Sequence, residues 1–195
     1  MATTEQTSID AAEFRLHVAS ESIRLFAERG YEATTVDDIA GATGTSRRTL
    51  FRQFGSKEGL IFADHESMLD QVAGHLEAAV DDEDPWWVVC EGAEMVFAHF
   101  AANRDLAARR YAVVSQVATL RDRELVMALR YQRLFEEYLR QTRPTAQPTG
   151  VVAYAAAVTA VHNYLLRQVS RGDATATAEG LNAELRRLWE TLAER

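Results

Sequence analysis

Apolar positions along the chain recur at spacings of three and four, with no sustained alternation of apolar and polar residues. That pattern predicts helices throughout. Ala19, Ile23, Phe26 and Ala27 share one face of a first helix, which runs from a capping pair, Asp10 and Glu13, to about Arg29. Gly30 is placed to end it in a left-handed conformation. Thr34 or Thr35 caps a second helix, with Asp37 and Asp38 in its first turn and Val36, Ile39 and Ala40 facing inward. Gly44 makes a turn, and Thr45 or Ser46 caps a third helix over Arg47–Phe54, anchored by Leu50 and Phe54. Gly55 breaks the chain. Ser56 caps a fourth helix that continues through Leu60, Ile61, Met68 and Val72 to about Val80.

An acidic loop at 81–85 follows, and Pro85 suits the first turn of the next helix. Residues 86–102 are rich in large apolar groups. Helices are then expected over 105–119, 122–142, 151–170 and 176–193, with Pro144, Pro148 and Gly150 breaking the chain near 143–150. The fold class expected is all-α, with about nine helices. Residues 1–9 are polar and read as a disordered terminus. Residues 10–55 make a three-helix helix-turn-helix unit, and 56–195 a larger helical bundle.

Composition narrows the class. The chain has 195 residues, 47% hydrophobic and 26% charged, which is ordinary for a globular protein with a sizeable core. Cys90 is the only cysteine, so an intrachain disulfide is excluded and a reducing, cytoplasmic setting fits. The polar N-terminus does not read as a signal peptide. The longest nearly apolar run, 151–161, is too short to span a bilayer, so no membrane partner is expected.

Charge changes the picture more. The net charge is −8, yet residues 44–57 hold Arg47, Arg48, Arg52 and Lys57 and no acid. Lys57 is the only lysine, against twenty arginines. A basic patch on an acidic chain suggests a polyanion docking surface, and the helix-turn-helix spacing suggests the DNA major groove. Arg47 and Arg48 open the third helix, where a guanidinium fork can bond guanine O6 and N7. Thr49 and Gln53 can bond phosphate or base edges, and Phe51 can touch a thymine methyl or pack in the core. Arg52 is equally a phosphate contact or a solvated charge. Thr35 and Lys57 stand at helix starts, where exposed N–H groups favour an anion.

The stretch GYEATTVDDIAGATGTSRRTLFRQFGSKEGL resembles the N-terminal signature of the TetR family of bacterial transcriptional regulators. Gly30, Tyr31, Thr34, Thr35, Ile39, Ala40, Gly44, Ser46, Thr49, Leu50, Phe51, Phe54, Lys57 and Leu60 all fit it. The resemblance implies a homodimer that binds a palindromic operator in double-stranded DNA as a repressor and is released by a small molecule. It further implies Arg47, Arg48 and Phe51 as groove readers and Thr35, Thr49 and Lys57 as phosphate clamps. Phe51 stands where members often have Tyr, so one phosphate hydroxyl is missing. Gln53 stands where His or Tyr is common.

For the bundle, the expected effector site is aromatic with a few polar groups. Its candidates are Trp87, Phe97, His99, Phe100, Tyr111, Ser115, Gln116, Tyr131 and His162. The lack of a basic cluster there points to an uncharged or cationic effector, with a hydrophobic or aromatic one in view. On the resemblance, the 151–170 helix and the 176–193 leucine stripe are the expected dimer surface, through Val158, Val161, Leu165, Leu181, Leu185, Leu188 and Leu192, with packing inside one chain as the alternative. No Gly-x-Ser-x-Gly, phosphate-loop or His-Glu-x-x-His pattern occurs. An enzyme, a metal site and a cofactor are therefore not expected. The competing reading is a helical interaction module that has lost DNA binding.

Overall fold

A computed structural model describes residues 2–79 and 84–193. Ten helices and no strands occur among them: α1 (Ala2–Arg29), α2 (Val36–Ala42), α3 (Arg47–Phe54), α4 (Lys57–Leu60), α5 (Asp64–Ala78), α6 (Pro85–Ala101), α7 (Arg104–Gln116), α8 (Ala118–Thr142), α9 (Pro148–Ser170) and α10 (Ala178–Ala193). The all-α expectation holds. The acidic run 81–83 and the side chain of Leu192 lie outside the described residues.

Several boundaries differ from the sequence reading, among them the start of α9, which is Pro148 and takes in Gly150. Helix α1 begins at Ala2, so residues 2–9 are helical rather than disordered, and Asp10 is not a helix start. No Gly or Pro interrupts 2–29, and once the packed turns exist each further residue adds a hydrogen bond. The expected fourth helix is two, α4 and α5. Between them the Phe62 and Ala63 N–H groups bond back three residues, to Gly59 and Leu60. Ile61, Phe62 and Ala63 are all at most 4% exposed, and burying this run on every side fixes the bend. The break between α7 and α8 falls at Val117, ahead of Leu120–Asp122, and Arg121 donates to the Ser115 carbonyl at 2.8 Å, satisfying a group freed there.

The chain forms two compact units. One comprises Met1–Asp70 with Arg109–Leu125, the other Gln71–Ala108 with Val126–Arg195. The core of the first holds Ile23, Leu25, Ile39, Leu50, Leu60 and Ile61, all at most 2% exposed. Each such side chain contributes about 1.5–3 kcal/mol on burial. Within this unit the Arg110 guanidinium donates to Asp64 at 2.5 Å, and both side chains are largely buried. The second unit packs α9 and α10 on α6. Phe97, Phe135, Leu139, Val158, Leu181 and Leu185 fill its core. Gly92 on α6 lets the Phe135 ring approach: a Cβ there would sit 3.2 Å from it.

Candidate nucleic-acid interface

Capping fixes the geometry of α2 and α3. Thr35 is the N-cap of α2; its hydroxyl oxygen accepts from the Asp38 N–H at 3.1 Å, and the Asp38 carboxylate accepts from the Thr35 N–H at 2.8 Å. Thr34 is buried and donates to the carbonyls of Gly30 and Leu25. Gly44, at φ 65°, turns the chain. Ser46 then caps α3 by accepting from the Thr49 N–H at 3.1 Å. Leu50 at 0% and Phe54 at 8% exposure pin α3 inward. That leaves Arg47, Arg48, Phe51, Arg52 and Gln53 on the exposed side. Phe51 is 39% exposed, which settles it as a surface residue.

The exposed side is partly organised. Arg47 pairs with Asp37 at 3.1 Å and lies 5.3 Å from the Phe51 ring centroid. The Thr49 hydroxyl is 2.9 Å from Ser46 Oγ. At α4, Ser56 accepts from the Gly59 N–H, and a Cβ on Gly59 would fall 2.2 Å from the Phe54 carbonyl oxygen. Only glycine lets the end of α3 and the start of α4 come this close. Lys57 donates to the Tyr31 carbonyl and its ammonium lies 4.0 Å from the Tyr31 ring centroid. Partial burial pulls its pKa below the ordinary value.

Two acidic features were missed by reading the chain linearly. Asp37 holds Arg47 from ten residues away, a spacing no single helix face brings together. The Thr35 hydroxyl is committed to Asp38 at 2.5 Å, and this bond with that from the Thr35 N–H holds the Asp38 carboxyl below its ordinary pKa. The start of α2 therefore carries two carboxylates, Asp37 and Asp38.

The effector candidates divide between the two units. Tyr111, Ser115 and Gln116 belong to the first unit, and Ser115 and Gln116 are exposed. Phe97, Phe100, Tyr131 and His162 are buried in the second. The His162 and Phe97 ring centroids are 6.0 Å apart, and His99 packs edge-on to Phe100 at 4.8 Å. Burial pushes the His162 pKa down to about 4, and its Nε2 has no hydrogen-bond partner among the described residues. Trp87 lines a surface groove instead.

The dimer candidates need correction in part. Val158, Leu181 and Leu185 are 0% exposed inside one chain, so they pack α9 and α10 onto their own unit. Val161, Leu165 and Leu188 are half-buried. The outward face of α9 carries Val152 at 40% and Tyr164 at 61% exposure. By length and composition alone α9, with 23 residues and an 18-residue window of mean hydropathy 1.2, is long and apolar enough to cross a membrane, longer than the run 151–161 suggested; 28% of that window is buried.

Residues 20–63 match the sequence profile described as bacterial regulatory proteins, tetR family. MftR of Mycobacterium tuberculosis, a transcriptional regulator by name, is 43% identical over 61 residues, 31% of this chain and 31% of MftR. The transcriptional repressor AcnR of Corynebacterium glutamicum is 45% identical over 49 residues, 25% of this chain and 26% of AcnR. The similarity thus spans under a third of these relatives' length. The crystal structure of the regulator FadR from Bacillus subtilis in complex with stearoyl-CoA shares the fold, with a TM-score of 0.61 at 16% identity over 88% of this chain and 95% of that one. The capped helix-turn-helix and the profile match over it make residues 20–63 similar to the tetR family of bacterial regulatory proteins, and the chain shares its fold with FadR.

Proposed function

We propose that the chain is a DNA-binding transcriptional repressor that reads an operator in double-stranded DNA through the start of α3. The observation that carries this reading is the split of α3 into a buried side, Leu50 and Phe54, and an exposed side bearing Arg47, Arg48 and Phe51 on a chain of net charge −8. Arg48 reads a base edge, and Arg47 joins it once the contact with Asp37 is exchanged for DNA. Thr49 and Arg52 contact the backbone. Lys57 reaches phosphate only by leaving the Tyr31 carbonyl.

The operator is a palindrome read by a homodimer, with half-sites about 34–36 Å apart. The exposed side of α9, with Val152 and Tyr164, is the surface that supports this pairing. A small molecule with a hydrophobic portion releases the DNA; the acyl chain of the stearoyl-CoA bound by FadR supports an apolar portion. A shift in operator-competent state from 99:1 to 1:99 requires the effector to prefer the released state by about 5.5 kcal/mol.

Selection of bound duplexes from a random pool tests the reading. A two-fold symmetric consensus is expected. A pool that shows no enrichment at low salt rejects it in favour of an interaction module.

A further inference from the structure

A groove of about 350 Å³ opens at the surface of the second unit between α6 and α10. Trp87 and Trp189 line it, with Asp84, Glu91, Glu190 and Arg186. The Trp189 side is firmly based. Its ring stacks on Trp86 with centroids 5.4 Å apart and meets Tyr154 edge-on at 5.7 Å. The Tyr154 hydroxyl in turn donates to the Trp86 carbonyl at 2.9 Å and sits 3.0 Å from the buried Cys90 sulfur. The Trp87 side already holds a cation: the Arg186 guanidinium carbon lies 4.2 Å from the ring centroid.

Charge agrees with that arrangement. Three carboxylates line the groove. Asp84 is approached by Arg143 at 3.6 Å and accepts from the Trp86 N–H, and Glu91 lies 3.5 Å from His75. Even with Arg143 counted, three carboxylates face two guanidinium groups. An indole face beside carboxylates attracts a cation through the ring quadrupole and the local field together. The apolar walls suit a cation whose charge is spread over carbon or guanidinium, since such ions shed water more readily than a compact ammonium.

We propose that this groove binds an organic cation, an alkylated ammonium or guanidinium on an apolar body, which takes over the place of the Arg186 guanidinium above Trp87. The exposed Arg186 side chain acts as an internal occupant, so it competes with the ligand. This site does not rest on the DNA-binding reading, and its test uses the chain without DNA.

The probe is benzyltriethylammonium, followed by calorimetry and by the indole N–H resonances of an isotope-labelled chain. Benzyl alcohol and benzenesulfonate serve as uncharged and anionic controls. Saturable binding of the cation alone is expected, with the Trp87 and Trp189 resonances shifting most. Trp87→Ala should weaken binding about tenfold, the size of a cation–π contact near 1.4 kcal/mol. Glu190→Gln, on an exposed side chain, should weaken it about threefold without risk to the core. Arg186→Ala should tighten it severalfold by vacating the ring. Equal binding of benzyl alcohol, or an Arg186→Ala variant that binds no better, overturns the proposal.

Discussion

The Tyr31 hydroxyl donates a 2.7 Å hydrogen bond to the Glu58 carboxylate, 27 positions further along the chain. The carbonyl of the same Tyr31 accepts from Lys57. One residue at the exit of α1 therefore holds the first turn of α4, and through Gly59 the end of α3. That hydrogen bond is the main reason the Glu58 carboxyl is held below its ordinary 4.5. Burial, followed by the Glu58 contact, raises the Tyr31 phenol.

A lowered carboxyl pKa contributes stability that is present above the ordinary value and lost as pH falls towards the folded one. Tyr31→Phe should therefore destabilise the chain by about 1 kcal/mol at pH 7. The gap between variant and parent should narrow below pH 4.5. Urea midpoints measured from pH 7 to pH 4 check both statements.

Arg48→Ala should cost about 1–3 kcal/mol of operator affinity and relax base preference at one position. Arg52→Ala should weaken binding evenly across sequences and reduce the salt slope by about one. Titrations of labelled duplexes at several salt concentrations separate the two effects. Loss of base preference on Arg52→Ala would reverse the assigned roles.

Asp37→Asn removes the carboxylate that holds Arg47 at 3.1 Å. Both side chains are well exposed, so fold stability should change by less than about 1 kcal/mol. Affinity for duplex DNA should rise a fewfold at low salt, because Arg47 no longer exchanges one anion for another. Unchanged DNA affinity with unchanged melting would show that Asp37 does not restrain Arg47.

Gly59→Ala should destabilise the first unit by about 3 kcal/mol or more, since its Cβ would meet the Phe54 carbonyl oxygen, a backbone atom that cannot swing aside. Amide exchange should show the loss concentrated in α3 and α4.

His162 is buried and its pKa falls to about 4 from 6.5. The neutral ring is favoured by folding, so its contribution is complete above pH 6.5 and is lost as pH falls through 4. The full difference is on the order of 3 kcal/mol. His162→Phe should flatten the acid limb of stability between those values, read from urea midpoints at half-unit steps.

Much of the first unit was legible because its signals are local. Ser46 precedes the helix it caps, Gly44 and Gly30 stand where positive φ is needed, and Leu50 and Phe54 are four apart on one turn. The capping choice at Thr35 over Thr34 was not legible, since it depends on Thr34 reaching the carbonyls of Leu25 and Gly30. Nor was the Asp37–Arg47 pair, which requires the turn itself. In the second unit, leucines three and four apart say that α10 has an apolar side but not what covers it. Leu181 and Leu185 are covered by their own chain. Spacing also could not reveal that Trp87 faces a groove under Arg186 while Trp86 stacks on Trp189.

Because the first unit is assembled from two separate stretches, the helix-turn-helix is not a detachable cassette. A gene fragment ending near Asp70 would discard the Arg110 guanidinium on which the buried Asp64 carboxylate relies. Grafting this reading head onto a foreign sensor would succeed only if residues 109–125 travelled with it.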